Sequence, residues 1–238
     1  MSDVDTVHGA NGSGTGGPVD GRDPVPAAVD RLLAALSGLF GLVLVAVGAG
    51  LLARVDRALI AETVAQEGVE VNGLTPEQFV AAATPAIDWV AAGVVVTGLT
   101  LLGTAVVFVR ARRRTRAHVS REGDTTTTFW ASGVYGAVVT ALVSFIPGSV
   151  IVGGATAAYL HSGDSGARVG AATDVVANAL TLPLLASVAV GVLAGANAIG
   201  MLGGGAILAL LVVVGGLLAL TISASLGAIG GLAVTRVL

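Results

Sequence analysis

The 238-residue chain is 54% hydrophobic and only 11% charged, with a mean hydropathy of +0.90 and a formal net charge of −3. Soluble domains carry roughly 25% charged residues, so the composition points to an integral membrane protein over a soluble fold, while the small net charge says little without its distribution. The absence of Cys excludes disulfides and thiolate metal sites.

Residues 1–29 are polar, acidic and rich in Gly and Pro. They bury too little apolar surface to offset ordering entropy and are read as a disordered tail. The apolar run Leu32–Ala53 is long enough for a first membrane span. Between Arg54 and Thr84 lies an extramembrane segment. Val55, Leu59, Ile60 and Val64 fall on one helical face there, as in an amphipathic helix. Thr75, Pro76 and Gln78 have the spacing of a capping box with Pro at the first helical position. Thr84-Pro85 repeats the device and is expected to open the second span, ending near Val109. Asp88 then sits at the positive helix end and Trp89 at the interface.

Arg110, Arg112, Arg113, Arg114 and Arg116 follow directly. Positive-inside bias makes them a cytoplasmic topology anchor in reach of lipid headgroups. The acid-rich 54–84 segment is then extracellular and the N-terminus cytoplasmic. Residues 30–121 form a two-span module, 122–128 a linker, and 129–238 a Gly-rich membrane domain.

Residues 129–161 are too long for one upright helix and short for two. At 1.5 Å per residue a single helix runs roughly 50 Å, against a hydrocarbon core of about 30 Å. Pro147-Gly148 reads as a turn, because mid-helix proline lacks its donor and clashes one turn back. A hairpin places Arg168 and Arg236 on the cytoplasmic side with the cluster. A helix from about Ala167 to Gly195, kinked at Pro183, would then lead out. "ANAIGMLGGG" turns and residues 206–235 return. The expected fold is all-α and polytopic, with six membrane segments and both termini cytoplasmic; five segments is the alternative.

The stretch "SFIPGSVIVGGATAAYLHSGDSGARVGA" carries Phe145, Pro147, Gly153, Gly154, Tyr159, Gly163, Asp164, Gly166, Arg168, Gly170 and Ala171. It resembles an uncharacterised haloarchaeal family of Gly-rich multi-span membrane domains, a domain of unknown function. The resemblance covers about residues 129–238. It implies membrane location and the hairpin, and no activity. The all-Arg basic set and acidic ends resemble haloarchaeal composition too.

Glycines pair at GxxxG spacing: Gly166 with Gly170, Gly191 with Gly195, Gly200 with Gly204, and Gly227 with Gly231. Such pairs let backbones approach closely. With Gly153 and Gly154 they point either to a self-associating surface or to packing within one chain. Asp174 and Asn178 lie one turn apart. An intramembrane carboxylate is a functional suspect, so the pair is a candidate polar path. The plainer reading keeps Asp174 hydrated, or paired with Arg168, near the cytoplasmic end. His8, His118 and His161 are scattered and make no metal site. No metalloprotease, phosphate-loop or nucleophile-elbow pattern occurs.

The expected role is a non-catalytic structural or interaction component without cofactor. Its partners would be membrane lipids, a second copy or another membrane protein, with no nucleic acid. The alternative is a transporter or channel subunit with Asp174 and Asn178 in the path. A sensor using residues 54–84 would need a separate output partner.

Overall fold

A computed structural model describes residues 27–67, 73–122, 129–142, 148–161, 165–179 and 181–237. Side chains are described for all of these except residues 27, 115–122, 130, 131, 141, 142, 179 and 237. The 1–26 tail, residues 123–128 of the linker, Pro147, Asp164 and the Arg116 side chain therefore lie outside the described set.

The described residues are all-α: α1 (Ala27–Arg54), α2 (Arg57–Glu67), α3 (Pro76–Glu122), α4 (Phe129–Leu142), α5 (Ser149–His161), α6 (Gly166–Ala179), α7 (Leu182–Ala198) and α8 (Leu202–Val237). Among them α1, α3 and α8 are long and apolar enough to cross a membrane. The bent pair α6–α7, 46° at its break, makes a fourth span if counted as one. The expectation of six membrane segments, or five, is corrected to three or four. The reason is length. The 14 residues of α4 and 13 of α5 rise only about 20 Å each, short of a core about 30 Å thick.

The short pair answers the hairpin question differently from a pair of crossings. Phe129, which opens α4, stacks edge-on with His161, which closes α5, at 5.8 Å. Gly136 and Thr140 of α4 meet Gly153 of α5. The two helices run antiparallel, and the pair returns to the end where it began. Gly148 (φ 90°) takes the left-handed conformation just before α5, where a side chain would be strained.

The second expected span also differs. α3 runs unbroken from Pro76 through Glu122, with Pro85 in its interior. Thr84 is no cap; its hydroxyl donates to the Val80 carbonyl inside the helix. Asp88 therefore lies in the body of α3, well past the first turn. The helix starts instead at the earlier capping box. There the Gln78 N–H donates to Thr75 Oγ1 at 3.3 Å, and the Thr75 N–H donates to Gln78 Oε1 at 3.0 Å. Just upstream, α2 is capped by Asp56, whose Oδ1 accepts the Leu59 N–H. Ile60 and Val64 of α2 pack on Val80, Phe79, Ala83 and Ile87 of α3.

Pro183 was expected to kink a continuous helix. The helix ends instead at Ala179, and Pro183 occupies the first turn of α7, where its missing N–H costs nothing. Thr181 fills the gap by donating its hydroxyl to the Asn178 carbonyl at 2.7 Å. α7 closes in a Schellman arrangement: Met201 N–H to Ala196 O, Gly200 N–H to Asn197 O, and Gly200 left-handed at φ 72°.

Helices pair where side chains vanish. Gly41 faces Gly98 and Gly48 faces Ala91, so α1 lies antiparallel to α3. Gly191 faces Ala86 and Gly195 faces Ala82, so α7 also lies antiparallel to α3. Gly166 faces Gly231 and Gly170 faces Gly227, so α6 lies antiparallel to α8, while Gly154 of α5 meets the same Gly227. At these points a Cβ would overlap the opposing backbone. These seams join the proposed two-span module to the Gly-rich domain through α3 and α7.

Replacing Gly170 by Leu should therefore push α6 from α8 and cost about 1–3 kcal/mol by overpacking. Gly103, which has nothing within 4 Å of a built Cβ, should accept Ala with a change of less than about 0.5 kcal/mol. Reversible unfolding in detergent checks both.

Candidate functional site

Two buried polar places stand out, and each holds one carboxyl. The first joins Asp30 of α1, Arg112 of α3 and Tyr135 of α4. These residues are 6%, 4% and 5% exposed. Because α1 and α3 are antiparallel, the start of one meets the polar end of the other. Arg112 Nε donates to Asp30 Oδ2 at 3.1 Å, and the Tyr135 hydroxyl donates to Asp30 Oδ1. The guanidinium also lies 5.9 Å from the Tyr135 ring centre, within cation–π range. Phe108 packs edge-on against the same ring at 6.3 Å. Val29, Leu33 and Leu160 complete the apolar jacket.

Arg112 thus turns inward to Asp30, while Arg110, Arg113 and Arg114 are exposed. The cluster divides into one buried partner and a set of exposed charges. Sequence reasoning passed over Asp30 and Tyr135. The available signal was an acid at the head of one span and a base at the tail of the antiparallel next one.

The second place is Asp174, 1% exposed on α6. Among the described residues neither carboxyl oxygen has a hydrogen-bond partner. Oδ2 presses toward Gly227 of α8; a side chain at Gly227 would overlap it. Arg168 is exposed. Asn178 is half-buried, and its amide donates to the Asp174 backbone carbonyl at 2.9 Å, not to the carboxyl. Beyond it, the break between α6 and α7 borders a cavity of about 270 Å³ lined by Asn178, Thr181, Leu185 and Gly216. The neighbouring Thr173 is fully buried and donates to the Val169 carbonyl.

Asp174 lies eight residues from the start of α6, about 12 Å along the axis, and Gly227 lies nine residues before Arg236, about 14 Å, so the carboxyl sits inside the bundle, away from those helix ends.

Of the glycines named from sequence, Gly200 and Gly204 face open space, Gly200 lying in the turn before α8; the others fall on three seams. Gly153 meets Gly136 and Thr140 of α4; Gly154, Gly166, Gly170, Gly227 and Gly231 form the α5–α6–α8 seam; Gly191 and Gly195 face α3. Sequence reasoning missed the α1–α3 seam, because Gly41 and Gly48 are seven residues apart, as are Ala91 and Gly98. A heptad of small residues was the signal there. Among the described residues no three His, Asp or Glu side chains gather as a metal site.

Comparison of the chain with models of protein families, with curated proteins and with solved structures finds no match in any of the three. The resemblance of residues 129–238 to a haloarchaeal membrane domain rests on the quoted motif.

Removing one partner of a buried ion pair leaves the other charge uncompensated, at about 3–5 kcal/mol. Asp30→Ala should lose that much. Asp30→Leu combined with Arg112→Met should lose clearly less, since both charges go together. Tyr135→Phe should cost about 1.5–3 kcal/mol, the range for a hydrogen bond to a charged group. Unfolding curves of the three variants in one detergent test the ordering.

Proposed function

We propose that the chain is a multi-pass membrane component without catalytic chemistry of its own, serving as a structural or interaction element. The observation that carries this reading is the Asp30–Arg112–Tyr135 cluster. It is a set of buried polar groups spent on one another, tying α1, α3 and α4 into a body rather than facing a substrate. The glycine seams support the same reading, since the GxxxG pairs on α6, α7 and α8 are occupied within the chain. What remains outward is apolar, including Leu32, Leu36, Leu39 and Phe40 on α1 and Ile207, Leu210, Leu211 and Leu218 on α8. Such faces suit lipid, a second copy or another membrane protein.

The orientation we propose has both termini cytoplasmic. Contacts among Asp30, Arg112, Tyr135 and Leu160, and between Gly166 and Thr235, gather one end of the bundle. Arg31, Arg110–Arg114, Arg168 and Arg236 all belong to helix ends on that side. The opposite end carries α2 with Asp56, Glu62 and Glu67. Positive-inside bias then puts the arginine end in the cytoplasm. The haloarchaeal family resemblance fits the same membrane placement.

A second reading is a small transporter or channel subunit, favoured by one observation: Asp174 is buried among the apolar helices with no partner for its carboxyl among the described residues. Ionisable groups in that position commonly mark ion or proton pathways.

Proteoliposomes containing the chain should show ion flux equal to empty vesicles. Flux above that level, abolished by Asp174→Ala, would replace the structural reading with the transport one. Single cysteines at Ser162 and Val237 should resist a membrane-impermeant thiol reagent in sealed cells, and one at Ala198 should label. The reverse pattern would invert the orientation.

A further inference from the structure

We propose that the Asp174 carboxyl is a binding site for a small monovalent cation, a proton or an alkali-metal ion, held in the seam between α6 and α8. The proposal deepens the transport reading, resting on the same carboxyl, but it requires only binding and not net movement of ions.

The site begins with a missing partner. Both Asp174 oxygens are buried and accept no well-formed hydrogen bond among the described residues; the Gly227 backbone approaches the carboxyl without meeting hydrogen-bond geometry and brings no charge. A bare carboxylate in such surroundings is strongly disfavoured unless a positive charge joins it. Among the described residues no element packed on α6 supplies that charge. α8 carries none from Leu202 to Thr235, and Arg236 lies nine residues beyond Gly227. On α4 the titratable side chain is Tyr135, which is engaged with Asp30. On α5, Tyr159 is 64% exposed and His161 packs on the Phe129 ring. On α6 itself, Arg168 is exposed. Among the described residues no counter-charge lies at this point, so an external cation is the proposed one.

The surroundings then choose the class of cation. The backbone carbonyls of Gly170 and Gly227 border the same crossing: a built Cβ on Gly227 lies 2.6 Å from Gly170 O, and one on Gly170 would overlap Gly227 O. The available ligands are oxygens, which suit hard cations rather than thiophilic transition metals. The charge decides the valence. One carboxylate neutralises one positive charge, whereas a divalent ion would leave a net charge in an apolar seam. Gly227 matters for a steric reason, since a side chain there would overlap the carboxyl, whereas one on Gly170 would overlap the Gly227 backbone and part the two helices.

The test uses the full chain in phospholipid vesicles and dicyclohexylcarbodiimide, an apolar reagent that modifies carboxyls carrying a proton. Peptide mass spectrometry reads the adduct at Asp174. If a proton is the occupant, the adduct forms in mildly acid buffer, falls as the buffer is made alkaline, and ignores NaCl against choline chloride. If an alkali ion is the occupant, the adduct falls about tenfold at fixed pH when Na⁺ reaches about ten times its Kd, by mass action, while choline has no effect. Asp174→Asn abolishes the adduct. Gly227→Ala blunts the response to pH or Na⁺, and Gly103→Ala leaves it intact. An adduct indifferent to both pH and Na⁺, or none at Asp174 in any buffer, overturns the proposal. The wild-type curves decide this even if a variant fails to fold. Flux equal to empty vesicles alongside a responsive adduct removes the transport reading and keeps the site. Flux with an unresponsive or absent adduct removes the site.

Discussion

A hydrocarbon solvent neither drives apolar helices together nor hydrogen-bonds what they leave unpaired. Helices in it associate by close packing and by satisfying each other's polar groups. This chain meets the first demand with glycine and alanine. At Gly41–Gly98, Gly195–Ala82 and Gly170–Gly227 the backbones approach until a Cβ would not fit. Large side chains are therefore turned outward along α1 and α8, where lipid can wet them. The sequence composition, low in aromatics and high in Gly, is the composition such seams need.

The second demand is met at one carboxyl and left open at another. Asp30 is surrounded by donors from two other helices, Arg112 and Tyr135. Asp174 sits at a glycine crossing that brings it backbone and no donor among the described side chains. Two acids of the same type, both nearly inaccessible, thus have opposite surroundings. The first is a joint. The second is a buried acid that helix packing does not explain.

Segment count and orientation turn out to be separable. The α4–α5 hairpin brings Phe129 back beside His161, so it begins and ends on one side. Counting it as two crossings or as none leaves the parity of the remaining spans unchanged. Arg168 and Arg236 keep the same end as the arginine cluster either way. Similarly, the break at Asn178–Leu182 divides a span without reversing it, since α6 and α7 both lie antiparallel to α8, Gly170 facing Gly227 and Leu185 and Ala196 facing Gly216 and Gly205.

Several features were legible in the chain alone. Apolar length marked α1, the body of α3 and α8, because spanning depends on a local sum of hydropathy. The capping box at Thr75–Gln78 and the turn at Gly200 were legible because their hydrogen bonds are local; of the apolar face expected on the next helix upstream, Ile60 and Val64 are buried while Leu59 is exposed. Pro85 and Pro183 were misjudged in opposite directions. A proline's effect depends on whether neighbouring groups take up the freed carbonyls, and that is a property of the surroundings. Which glycines face which, the burial of Arg112 and its joining to Asp30 and Tyr135 required the tertiary structure. Those contacts bring together residues as far as 105 positions apart, and no periodicity within a helix encodes its partner. The same holds for Asp174. Its place on an apolar helix, one turn from Asn178, could be read from the sequence. Whether Arg168 would reach it was decided by the face on which α6 meets α8, which turns the carboxyl inward and leaves the guanidinium outside.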